Sequence, residues 1–126
     1  MSKKEIFYSL IARNRKTVLV EYTPVHGNFQ QVTRTIVSKI KPNTRQSYDY
    51  SSTYMFHYIN ENNTTFLCLA HAGYKPELAY KYLDDIKSKF EAQYDQETIH
   101  SSIDFAMNNR FRSVLKNRMV MSQDLF

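Results

Sequence analysis

The chain has 126 residues, enough for one domain, and a domain of this size buries about two-thirds of the surface its unfolded form exposes, so a core forms without staples. Hydrophobic residues at 42% against 23% charged exclude a disordered chain, and two glycines with three prolines exclude collagen-like and linker-like sequences. The formal charge is +5, with basic residues scattered in runs of at most two. That pattern describes a solvated surface rather than a nucleic-acid stripe.

Residues 6-12 (Ile-Phe-Tyr-Ser-Leu-Ile-Ala) and 17-23 (Thr-Val-Leu-Val-Glu-Tyr-Thr) are rich in β-branched and aromatic types, with a polar turn between them. They predict a β-hairpin. Pro24 and Gly27 break the pattern, and Asn28 is a candidate N-cap. Phe29, Val32, Thr33, Ile36 and Ile40 then recur at spacings of three and four, with Val37 on the flank of the stripe. They predict an amphipathic helix ending near Lys41, before Pro42.

Tyr48 and Tyr50 alternate with polar neighbours, as on an edge strand. Residues 53-60 and 64-71 follow, joined by a tight turn at Asn60-Glu61-Asn62-Asn63, so the region predicts a three-stranded meander. The run Phe66-Leu67-Cys68-Leu69-Ala70 is apolar without alternation, and so is most of 6-12. Strands of this kind are covered on both faces. Pro76 starts a second helix whose apolar face is Leu78, Ala79, Tyr82, Leu83, Ile86 and Phe90. A third helix is predicted from Ile99, Ile103, Ala106, Met107, Phe111, Val114 and Leu115. The order is β-β-α-β-β-β-α-α, with helices on both sides of one sheet. The pattern is that of a three-layer α/β sandwich.

The chain has no G-x-x-x-x-G-K, G-x-G-x-x-G or H-E-x-x-H pattern. His26, His57, His71 and His100 have no metal-ligand spacing, and His57 with Cys68, facing each other in some hairpin registers, would supply only two ligands. No cofactor is expected. Cys68, the single cysteine, excludes an intramolecular disulfide and reads as a buried, inert thiol in a reducing compartment. Asp84 and Asp85 are adjacent on a helix and point in different directions, so they do not converge on a substrate. Ser9 and Ser47 have no histidine base near them in the linear pattern. An enzyme is not expected. Ten tyrosines, by contrast, suit an amphipathic interaction surface as well as a core.

Several stretches carry a resemblance. They are Ile6-Phe7-Tyr8-Ser9-Leu10-Ile11-Ala12-Arg13, Thr17-Val18-Leu19-Val20-Glu21-Tyr22, Gly27-Asn28-Phe29, Tyr54-Met55-Phe56-His57-Tyr58 and Thr65-Phe66-Leu67-Cys68-Leu69-Ala70. Tyr82-Leu83-Asp84-Asp85-Ile86-Lys87-Ser88-Lys89-Phe90 and Phe105-Ala106-Met107-Asn108 complete the set. In this order the chain resembles the longin domain of longin-type R-SNAREs, the vesicle-associated membrane protein 7-like family. The resemblance implies a longin or profilin-like α+β sandwich. Its five-stranded antiparallel sheet would carry one helix on one face and two on the other. Residues 1-118 would form the longin domain and 119-126 the start of a linker. The SNARE motif and membrane anchor of such proteins do not appear in this sequence, which matches an N-terminal domain taken from a longer protein.

The resemblance further implies a regulatory role in vesicle traffic and membrane fusion, on the cytosolic face of a vesicle, endosome, vacuole or lysosome. The partners implied are the protein's own SNARE motif, cognate Q-SNAREs and trafficking adaptors, with no nucleic acid and a monomeric isolated domain. Both modes would use an apolar groove between the first helix and the third strand, lined here by Ile36, Val37, Ile40, Tyr48 and Tyr50. Tyr50→Glu would then bury a carboxylate at a cost of several kcal/mol, on the order expected for an uncompensated charge. The alternative is a stand-alone longin or profilin-like subunit of a coat-adaptor or tethering complex.

Overall fold

The computed structural model describes residues 5–24 and 29–124. Strand β1 (Ile6–Arg13) and strand β2 (Thr17–Tyr22) precede helix α1 (Phe29–Val37). Strands β3 (Arg45–Asp49), β4 (Tyr54–Glu61) and β5 (Thr64–His71) follow, then helices α2 (Pro76–Gln93), α3 (Gln96–Ser101) and α4 (Asn108–Asp124). The predicted cap at Asn28 and the break at Gly27 lie outside the described residues.

All pairings are antiparallel, in the order β2-β1-β5-β4-β3. Strand β5 lies at the centre, and its first seven residues are buried. This is why Phe66 to Ala70 show no alternation: Leu67 and Leu69 face one layer, Phe66, Cys68 and Ala70 the other. The hairpin turns are built by asparagine. Asn14 and Arg15 have φ of 56° and 61°, and Asn62 and Asn63 have 53° and 64°. Two consecutive positive φ values make a two-residue turn whose twist matches the strands it joins, and asparagine tolerates that region better than most residues. The second turn is therefore Asn62-Asn63, while Asn60 and Glu61 remain in β4.

One layer of core lies under α1 and gathers Tyr8, Leu10, Val37, Ile40, Phe56, Tyr58, Leu67 and Leu69. The larger core, on the opposite face, packs α2, α3 and α4 against Ile11, Val20, Phe66 and Cys68. At its centre the Phe90 ring meets Phe66, Phe111 and Tyr94 at centroid distances of 5.9, 5.1 and 5.0 Å. The three-layer α+β sandwich with a five-stranded antiparallel sheet is thus present.

Two helix predictions need correction. The first helix ends at Val37, not Lys41. Amides of Lys39 and Ile40 donate to the carbonyls three residues back, of Ile36 and Val37, and this tighter turn carries the chain to Ile40. The predicted third helix is two helices. Residues 102–107 leave the helical path, and Ile103, counted on the apolar face, is 77% exposed. The reason is the sheet edge. The amide of Phe105 donates to the Val18 carbonyl at 2.7 Å, and that of Met107 to Leu19 at 3.2 Å. Leu19 is the residue skipped by the bulge between β1 and β2. The segment thus satisfies the outer edge of β2, which would otherwise present unpaired backbone groups. Arg13 fixes it from below, its guanidinium donating to the carbonyls of His100 and Ser102 at 2.6 and 2.7 Å. The face opposite α1 therefore carries three helices. The boundary placed at 118 falls inside α4, where Met119 is buried and the Ser122 hydroxyl lies 2.7 Å from that of Tyr74.

Candidate functional site: the groove between α1 and β3

With β2 covered, β3 is the remaining edge of the sheet. Among the described residues it pairs only with β4, Ser47 opposite His57 and Tyr48 opposite Phe56. Period-two alternation puts Gln46 and Tyr48 on the α1 face and Ser47 on the α2 face.

The five predicted groove residues divide by depth. Val37 and Ile40 are buried, so they form floor rather than wall. Ile36 and Tyr48 are half-buried and pack against the core beneath α1. Tyr50 lies just past the end of β3 and is 40% exposed. Its amide donates to the Tyr54 carbonyl at 3.0 Å, and its ring meets Phe56 edge-on at 5.6 Å. Tyr48 stacks on Tyr58, centroids 6.0 Å apart and planes inclined by 19°. Ile36, Tyr48 and Tyr50 are thus the more accessible of the five, and Val37 and Ile40 the buried ones.

Sequence reasoning did not single out two residues bonded to Tyr48 or to each other, Gln46 and Tyr58. The Tyr58 hydroxyl donates to Gln46 Oε1 at 2.8 Å and accepts from the Lys41 amide at 3.4 Å. Tyr48 donates to the same Gln46 oxygen at 3.2 Å. The signal for Gln46 was its place two residues before Tyr48.

The opposite border of α1 is held by charge. Arg34 lies 3.7 Å from the Glu21 carboxylate, which also accepts from the Tyr8 hydroxyl. The guanidinium sits 5.8 Å from the Phe105 ring centroid. Burial, and then the bond to the Glu21 carboxylate, raise the Tyr8 phenol far above its ordinary range. Helix α1 is thus anchored on its β2 side.

The expectation that Ser47 lacks a neighbouring histidine is corrected. Its Oγ lies 2.6 Å from His57 Nδ1 and 2.7 Å from the Tyr80 hydroxyl. Linear spacing misses this because the contact crosses the β3–β4 ladder. The pair lacks what nucleophilic catalysis requires, a third group orienting the base. His57 Nε2 is buried without a partner among the described residues, and burial lowers the imidazole pKa to about 4. His57 does face Cys68 across the β4–β5 ladder. Both are fully buried, and burial drives the thiol pKa far up, which leaves it unreactive. Among the described residues no group of three or more metal-ligating side chains gathers, and no helix is long and apolar enough to cross a membrane.

Comparison with known proteins decides the family. The model of the longin family, the regulated-SNARE-like domain, matches residues 19–115. The chain belongs to the longin family. It is 38% identical over 115 residues to vesicle-associated membrane protein 7B of Dictyostelium discoideum, covering 90% of this chain and 43% of that protein. To vesicle-associated membrane protein 7A of the same organism it is 34% identical over 119 residues, covering 94% of this chain and 54% of the relative. To human vesicle-associated membrane protein 7 it is 32% identical over 111 residues, covering 87% and 49%. The longin chain therefore spans about half the length of the curated relatives it matches. Within the family it is of the vesicle-associated membrane protein 7 type. The five candidate residues lie on α1, on β3 and in the segments that directly follow them in this longin domain.

Proposed function

We propose that this longin domain is the regulatory N-terminal domain of an R-SNARE acting in vesicle traffic and membrane fusion. It works by binding rather than by catalysis. In this reading the groove holds the protein's own SNARE motif in an autoinhibited state, or binds trafficking adaptors instead. Ile36, Tyr48 and Tyr50 form the contact surface, with Val37 and Ile40 as its floor. Residues beyond α4 lead toward a SNARE motif that pairs with Q-SNAREs and an anchor that holds the protein on the cytosolic face of an endomembrane.

The observation that carries the reading is the pair Tyr48 and Tyr50 at the β3 edge of the sheet, which has no second strand beside it among the described residues. Helix-in-groove and strand-addition recognition both use such a surface. Tyrosine suits it, since each ring supplies apolar area with a polar tip.

The test is an NMR titration of the domain with a soluble fragment from the part of human vesicle-associated membrane protein 7 that this chain does not span. Shifts concentrated at Ile36, Tyr48 and Tyr50 are expected. Tyr50→Glu should weaken binding by about tenfold, or about 1.4 kcal/mol. This is less than the several kcal/mol expected for full burial, because a side chain 40% exposed keeps part of its hydration. Shifts confined to α2 and α4, or an unchanged affinity in Tyr50→Glu, would remove the groove from the reading. Stable co-purification with a permanent subunit in place of a SNARE motif would favour the adaptor or tethering alternative.

A further inference from the structure

We infer that the outer face of α4, with the cleft beside β2, docks on an anionic membrane surface. A lipid phosphate sits in the cleft, and exposed apolar side chains one turn further along α4 meet the headgroup boundary. The site lies on the face of the sheet opposite α1, and it stands or falls apart from the groove.

The cleft has a volume of about 430 Å³ and is lined by Tyr22, Asn108, Asn109, Arg112, Ser113 and Lys116. These side chains carry a guanidinium, an ammonium, two amides and two hydroxyls, and no carboxylate. Arg112 and Lys116 are exposed and four residues apart, which sets them on one side of the helix. The Arg112 guanidinium lies 5.5 Å from the centroid of the Tyr22 ring, which seats it against β2. Asn108 Oδ1 accepts from the Glu21 backbone amide at 3.2 Å. A backbone amide only donates, so the oxygen is fixed there and the NH₂ group is the end that Asn108 has free.

The charges around the cleft are unbalanced. Arg118, also on α4, is neutralised by Asp85, but no ion pair among the described residues uses Arg112 or Lys116. No Asp or Glu occurs between Asp104 and Asp124. Glu21 of β2 is turned to the α1 face, where it accepts from Tyr8 and meets Arg34. A merely solvated helix face mixes charges of both signs. Here two cations border one concavity with no anion beside them, and a phosphate is the group that such donors gather.

The next turn of α4 decides between a membrane and a soluble phosphate. A further step of four leads from Lys116 to Val120, and Val120 and Met121 are each 47% exposed. Cations and exposed apolar side chains on one side of a helix suit a surface lying among headgroups. A soluble phosphate would fill the cleft and leave Val120 and Met121 in water. Each cation held near an anionic leaflet should contribute about fivefold to binding.

The test is flotation of the domain with phosphatidylcholine vesicles, with and without phosphatidylserine. Binding is expected only with phosphatidylserine, and it should weaken as salt rises. Arg112→Gln with Lys116→Gln should lower it about 25-fold, and Val120→Ser about fivefold. Arg110→Gln removes a charge about 160° round the helix from Arg112 and should leave binding nearly unchanged. All four side chains are exposed, and a dispersed NMR spectrum checks that each variant is folded. No binding to either vesicle, or equal binding to both, would overturn the inference. Equal losses in Arg110→Gln and Arg112→Gln would overturn it too, since net charge rather than this face would then be responsible. Inorganic phosphate shifting Asn109, Arg112 and Ser113 signals, with Val120→Ser still binding vesicles like wild type, would assign a soluble phosphate instead. A phosphoserine peptide that binds there while vesicles do not would assign a protein partner and overturn the membrane.

Discussion

Ser47 and His57 face each other across the β3–β4 ladder, with the serine Oγ 2.6 Å from His57 Nδ1. The fully buried imidazole meets the Tyr80 ring of α2 in a T-shaped contact, centroids 5.8 Å apart. The contact joins the edge strand to the second helix through one serine hydroxyl, since Ser47 also meets the Tyr80 hydroxyl. It is a structural tie, and its chemistry appears as a dependence of stability on pH.

Burial lowers the His57 pKa from 6.5 to about 4. Its folded-state pKa is below its unfolded one, so the unfolded chain binds the extra proton between these values. Stability from this group is complete above the unfolded pKa and is lost as pH falls toward the folded one. Between pH 6.5 and about pH 5 the loss should be about 1.5 kcal/mol. Urea unfolding at the two pH values measures it. His57→Phe keeps a ring against Tyr80 and removes the titration, so its stability should be nearly flat over the same range. A wild-type domain equally stable at both values would contradict the buried neutral imidazole.

Arg13 is expected to control the covered edge of β2. Its guanidinium bonds the carbonyls of His100 and Ser102, which brace the segment that donates from Phe105 and Met107 to Val18 and Leu19. Charge-assisted bonds of this kind are each worth about 1.5–3 kcal/mol when shielded and less where water reaches them. Arg13→Ala should cost about 1–2 kcal/mol in all. Amide exchange should accelerate at Phe105 and Met107 and stay slow in β5. Uniform acceleration across the sheet would mean that Arg13 supports the fold as a whole rather than this edge.

Much of this arrangement is legible in the chain. The unbroken apolar run at Phe66 to Ala70 marks the central strand, because only a strand with neighbours and helices on both sides can bury every position. Alternation around Tyr48 marks the edge for the converse reason. The break in the last helix is not legible. Ile103 and Met107 fit the helical period, but a nonlocal bond from the Phe105 amide to Val18 wins over the local ladder. The Ser47–His57 contact and the Gln46 amide are hidden for a related reason. Both depend on which residue of β4 lies opposite which residue of β3, and strand register leaves no mark in linear spacing.

Phe90 holds the larger core together. It is fully buried and touches Phe66 on the sheet, Phe111 on α4 and Tyr94 at the end of α2. Truncation removes transfer energy, leaves a cavity and breaks edge-to-face contacts at once. Phe90→Ala should cost about 3–5 kcal/mol. Phe90→Leu, which refills most of the space, should cost less than half of that. Denaturant midpoints at an unchanged slope measure both. Equal losses for the two variants would show that ring geometry, not volume, carries the stability.

The Tyr8 hydroxyl is expected to set how firmly α1 is anchored opposite the groove. Tyr8 is fully buried and donates to Glu21, whose carboxylate is only 11% exposed and also faces Arg34 of α1. Tyr8→Phe keeps the ring and removes the proton, leaving a shielded carboxylate short of one donor. The cost should be about 1–3 kcal/mol, the range for a buried acceptor left unmet. Arg34→Ala should cost under about 1 kcal/mol, since Arg34 is 49% exposed and its ion pair is screened. If the anchor governs α1 alone, Tyr8→Phe should shift the NMR signals of Val32, Thr33 and Ile36 while those of α2 stay in place. Shifts spreading equally into α2 would place the role of Tyr8 in the sheet rather than in the helix above it.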